Sequence, residues 1–110
     1  MSWLLREGEV LAAVDPPGRG WPDSIKGAVV RRSPVVVHTF ASSHPVEVAW
    51  CDRGTTDRGE PCLTVRRITC LPRRRLGRPK LSGGAVVAAE AGAFDRWNLQ
   101  IGDQLEIREV

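Results

Sequence analysis

Short apolar runs alternate with breaker-rich polar segments along the whole chain, and none is longer than a strand. Trp3-Leu4-Leu5-Arg6 and Glu9-Val10-Leu11-Ala12-Ala13-Val14 flank Glu7-Gly8, which predicts a hairpin. Asp15 to Asp23 holds three prolines and two glycines and predicts a surface loop. Gly27 to Arg32 and Val35 to Phe40 are β-branched runs split by Ser33-Pro34, and both read as strands. Pro45 opens a run, Val46 to Cys51, with period-two alternation. That period sets Glu47 and Cys51 on one face and Val46, Val48 and Trp50 on the other. Asp52 to Glu60 reads as a polar turn. Leu63 to Leu71 and Ala85 to Glu90 read as strands, with a basic loop, Pro72 to Ser82, between them.

The segment 91–98 is the one helix candidate. Phe94 and Trp97 stand three apart on one face. Asn98 suits the left-handed residue that ends a helix, because its short polar side chain tolerates positive φ. Gly102-Asp103 then turns the chain into a last strand, Gln104 to Glu109. Leu105 and Ile107 point one way there, and Gln104, Glu106 and Arg108 the other. Seven or eight short strands and one short C-terminal helix predict an all-β, mostly antiparallel fold, a compact barrel or jelly-roll-like sandwich.

Length agrees with a single domain over 1–110, since domains run to roughly 100–200 residues. At 42% hydrophobic and 26% charged residues, the composition is that of a globular chain and not of a disordered one. No apolar run approaches the ~20 residues of a membrane helix, and the N-terminus becomes charged too early for a signal peptide. The expected location is cytoplasmic.

Charge changes the picture in one place. The net charge is +3, yet residues 61–89 hold Arg66, Arg67, Arg73, Arg74, Arg75, Arg78 and Lys80 and no acid. Such a run attracts anionic partners, and Arg forks bind phosphate and carboxylate bidentately. Arg73, Arg74, Arg75, Arg78 and Lys80 are therefore candidate ligand or partner contacts. No aromatic is interleaved among them to stack bases, so backbone-only, salt-sensitive nucleic-acid binding is the form this reading takes.

Candidate chemistry is sparse. Cys51, Cys62 and Cys70 lack Cys-x-x-Cys spacing, which argues for free thiols in a reducing compartment and against a metal site. No serine sits in a nucleophile elbow, and no glycine-rich turn has phosphate-loop spacing. No cofactor is expected. His38 lies mid-strand, and a His38–Glu47 pair is the weak candidate for general-base catalysis. His44, Asp52 and Glu90 are the other polar groups available to His38. Glu90, at a strand end, is a candidate contact residue; its structural role would be to cap helix amides or to pair with an arginine.

Several segments together resemble a known family. Val37-His38-Thr39-Phe40 followed by Pro45-Val46-Glu47-Val48-Ala49-Trp50-Cys51-Asp52 looks like one core motif. Gly77-Arg78-Pro79, Val86 to Trp97 and Gly102 to Ile107 look like the C-terminal half. Over residues 27–108 the chain resembles the prokaryotic family catalogued as domain of unknown function 192, short actinobacterial type. The chain departs from that pattern at the shortened loop 15–24, at Ser42-Ser43-His44-Pro45, at Glu47 in place of Asp and at Asn98 in place of Gly. The resemblance implies a compact β domain and carries no established activity. Some actinobacterial members are encoded beside pilus-assembly genes, which adds an accessory role in pilus or secretion systems to the expectations. The function expected is a small non-enzymatic module. It would contact a protein partner or a small anionic ligand through a sheet edge or the 72–82 loop. Nucleic-acid binding through Arg73–Lys80, or an enzyme using His38 with a carboxylate, are the alternatives.

Overall fold

The structure, a computed structural model, describes residues 2–14, 25, 27–32, 45–71 and 84–109. The loop 15–24, the strand expected at Val35 to Phe40 and the loop 72–82 lie outside the described residues. Seven strands and one helix are described: β1 (Ser2–Arg6), β2 (Glu9–Val14), β3 (Ala28–Arg32), β4 (Val46–Thr55), β5 (Pro61–Leu71), β6 (Gly84–Glu90), α1 (Ala93–Arg96) and β7 (Gln104–Glu109). The strands close into a barrel in the order β1-β2-β3-β6-β4-β5-β7, with β7 returning to β1. Every described pair is antiparallel except β2–β3, which is parallel and meets at Val14 and Ala28. The all-β barrel with one short helix is thus the observed fold.

The hairpin β1–β2 turns on Glu7 and Gly8, whose φ angles of 51° and 81° are both positive, as the tightest hairpin turn requires. Strands β4 and β5 run further than the sequence suggests. Asp52, Arg53, Gly54 and Thr55 pair with Thr64, Leu63, Cys62 and Pro61, so the turn shrinks to residues 56–60. Side-chain polarity hid this, since the ladder is held by backbone groups that every residue brings. A register shift at Trp50/Cys51 sets Trp50 opposite Arg67 and Cys51 opposite Val65, which makes Arg66 the extra residue of a bulge.

Alternation distributes the apolar residues to two sides of the sheet. Leu4, Cys51, Leu63, Val65, Val87, Phe94 and Leu105 fill one cluster, the barrel interior. Val29, Val46, Val48, Trp50, Val86 and Ala88 form a second cluster on the opposite face of β3, β6 and β4. Strand β6 is buried on both faces, which suits its run of Ala and Val. Val46, Val48 and Trp50 fall on one side and Cys51 on the other, as the period predicted.

Helix α1 spans four residues, shorter than the eight read from sequence. Gly92 before it has φ 91°, and Asn98 after it has φ 51°. The Asn98 N–H donates to Asp95 O at 3.1 Å and the Leu99 N–H to Phe94 O at 2.9 Å. That pair of bonds is the Schellman closure, with Leu99 and Phe94 packed in the same core. Two left-handed residues bracket the helix and limit its length.

Candidate functional site: a cleft at the β5–β7 seam

The seam between β5 and β7 is one of the two weakly paired seams of the barrel, the other being the single β2–β3 pairing. Its ladder holds two pairs, Leu63↔Leu105 and Thr64↔Gln104, against ten between β4 and β5. On one side of these pairs the seam continues: the Val65 N–H donates to Asp103 O at 2.9 Å, and the Gly102 N–H to Val65 O at 2.8 Å. On the other side it opens into a cleft of about 850 Å³.

Hydrogen-bond alternation explains the opening. The Thr56 N–H donates to Glu60 O at 2.8 Å, so Thr56 and Glu60 face each other across the β4–β5 turn. In an antiparallel ladder, successive residues direct their backbone groups to opposite neighbours. Pro61 therefore turns its nitrogen away from β4 and toward β7, as Leu63 and Val65 do. The next bonded partner of Pro61 along that seam would be Ile107. Proline has no N–H to give to the Ile107 C=O, which removes one of the two bonds of that pair, and the ladder ends at Leu63↔Leu105.

The same alternation assigns the backbone of β7. Leu105 faces β5; Glu106 and Arg108 face β1, where they stand opposite Leu5 and Trp3. Ile107 and Glu109 direct their N–H and C=O groups into the cleft. Among the described residues these groups have no backbone partner. Leu63, Leu105 and Ile107 supply the cleft's apolar floor, with buried Cys62 beside them. The rim carries Arg53, Glu60, Glu106, Arg108 and Glu109. Arg108 is already joined to Glu106 at 3.4 Å, which leaves Glu60 and Glu109 against Arg53.

None of the sequence-derived candidates is among the described residues that line the cleft. His38 and His44, and Arg73, Arg74, Arg75, Arg78 and Lys80, lie outside the described residues. Glu47 is engaged by the helix: its Oε1 accepts from the Gly92 N–H at 2.6 Å and from the Phe94 N–H at 3.3 Å. The capping role read for Glu90 therefore belongs to Glu47. Glu90 takes the other role read for it and pairs with Arg96 at 2.8 Å. Both of these side chains are exposed, and they border a smaller hollow of about 360 Å³ that Trp97, Leu11 and Gly27 also line. Asp52 accepts from Arg66 Nε at 2.7 Å on the exposed side of the bulge.

Cys51, Cys62 and Cys70 form no disulfide, and the first two are buried. Among the described residues no group of three or more His, Cys, Asp or Glu side chains could hold a metal ion. Among them, too, no helix is long and apolar enough to cross a membrane. The cleft residues were not singled out from sequence. The available signal was Pro61 placed immediately before a β-rich run, at a strand's first position.

No family model, curated protein or solved structure matches the chain.

Proposed function

We propose that this chain is a small non-enzymatic binding module whose binding site is the cleft between β5 and β7. One observation carries the reading. Among the described residues the β5–β7 ladder stops short at Pro61, a residue that cannot donate, and the gap beyond it has an apolar floor and a charged rim. Its volume of about 850 Å³ falls in the ordinary range for ligand sites, roughly 300–1,000 Å³. An accessory role in pilus or secretion assembly rests on the family resemblance alone. The alternatives, nucleic-acid binding through Arg73–Lys80 and an enzyme built on His38, depend on residues outside those described.

The test is a screen of the isotope-labelled chain by NMR with a fragment library and with a random peptide library. The expected result is that hits move the amides of Cys62, Leu63, Leu105 and Ile107. Hits that map away from these residues, or no hits from either library, overturn the reading.

A further inference from the structure

We infer that the occupant of the cleft is an extended peptide segment of another protein, added as a strand to the free edge of β7. This rests on the cleft being the binding site, as proposed above, and goes on to name the partner's chemistry.

Three observations select a strand. First, the groups left without a partner among the described residues are backbone groups. Ile107 and Glu109 present two N–H donors and two C=O acceptors in the spacing of a β-ladder. A side chain or small planar ligand satisfies one or two of these, whereas a neighbouring strand satisfies them all. Second, the opening is bounded on its far side by Pro61, which has no N–H to give to the Ile107 C=O. Third, the space fits one strand. Four residues of strand run ~14 Å, take ~4.8 Å between neighbours and ~10 Å of sheet depth, roughly 650 Å³ in all. The cleft holds about 850 Å³.

The lining sets the sequence of that segment. Side chains of an added strand alternate between the barrel side and the solvent side. The barrel side meets Leu63, Leu105 and Ile107 and selects apolar residues. The rim, with Glu60 and Glu109 exceeding Arg53 once Arg108 is held by Glu106, selects Lys or Arg at the intervening positions. This local acidity stands out on a chain of net charge +3. The partner segment is thus an alternating apolar and basic peptide.

The test uses synthetic peptides taken from the random-library selection against the full chain. Binding should slow amide exchange at Ile107 and Glu109 by roughly tenfold or more. N-methylation at alternate positions of the peptide should weaken binding by roughly tenfold, one ladder bond and its geometry, with little effect at the positions between. Exchanging the peptide's Lys for Glu should weaken it further, and less so at high salt. A peptide that maps to the cleft but tolerates N-methylation everywhere overturns strand addition and leaves the cleft reading standing. So do fragment hits in the cleft with no peptide hits. A concentration-dependent dimer whose contacts map to Ile107 and Glu109 puts a second copy there and overturns the peptide assignment. Absence of any hit at the cleft overturns both readings.

Discussion

Glu47 Oε1 lies 2.6 Å from the Gly92 nitrogen, and this one carboxylate joins strand β4 to the start of a helix 45 residues further on. The Phe94 N–H at 3.3 Å is its second donor. A four-residue helix cannot sustain itself, since nucleation is unfavourable and isolated helices shorter than ~12 residues are marginal. The fold holds it from outside instead. Glu47→Ala is expected to cost about 1–2 kcal/mol, the usual worth of an N-terminal acceptor. Glu47→Gln keeps an oxygen in place and should cost less than half of that. Urea denaturation reads both; equal losses would show that charge, and not acceptance, is what matters here.

Arg6 plays the matching part at the other end of the helix. Its Nη1 donates to Asn98 O at 3.0 Å and to Asp103 Oδ2 at 3.1 Å. Asp103 Oδ2 also accepts from the Gln100 N–H at 2.9 Å. The side chains of Arg6 and Asp103 are 16% and 25% exposed, so solvent screens their pair less than a surface pair. A double-mutant cycle of Arg6→Ala and Asp103→Ala should give a coupling of about 1 kcal/mol or more. Additive losses would mean that the two residues act separately.

Gly27 is a contact requirement. A Cβ there would stand 2.3 Å from the Ala13 carbonyl oxygen, a backbone atom that cannot swing aside. It lies just before the single pairing between β2 and β3, where two strands must approach in parallel. Gly27→Ala is expected to lose about 1–3 kcal/mol or more. Gly54→Ala, with open space around it, should stay within about 0.5 kcal/mol of the parent. Thermal melts of the two variants separate packing from backbone freedom.

Pro61 is expected to keep the seam open. Pro61→Val supplies the missing donor without changing the strand's apolar character. The new amide at position 61 should then be protected from exchange by Ile107 O, and cleft ligands should bind roughly tenfold more weakly. An amide at position 61 that exchanges freely would show that something other than the missing N–H holds the strands apart.

Much of the barrel was legible because its signals are local. The Glu7-Gly8 turn, the alternation in Gln104 to Glu109 and the left-handed Asn98 each declare themselves within a few residues. The far ends of β4 and β5 were not legible, because Asp52, Arg53 and Gly54 have the side chains of a turn while their backbones continue the ladder. The helix acceptor Glu47 was not legible for a related reason, although the arginine pairing read for Glu90 is observed. Glu90 is near the helix in sequence, whereas Glu47 reaches it only because β4 lies beside β6. The cleft depends on the register of two strands forty residues apart, and no local pattern in Pro61 or Ile107 specifies that register.

The central claim is that β7 has one free edge, and amide exchange of the unliganded chain tests it directly. Ile107 faces the cleft, while Glu106 and Arg108 face β1. Fraying of the strand alone would protect Ile107 more than Arg108, which is nearer the end of β7. The expected result is the reverse, with Ile107 exchanging roughly tenfold faster than both of its neighbours. Protection that falls smoothly from Glu106 to Glu109, with Ile107 as slow as its neighbours, would contradict the claim.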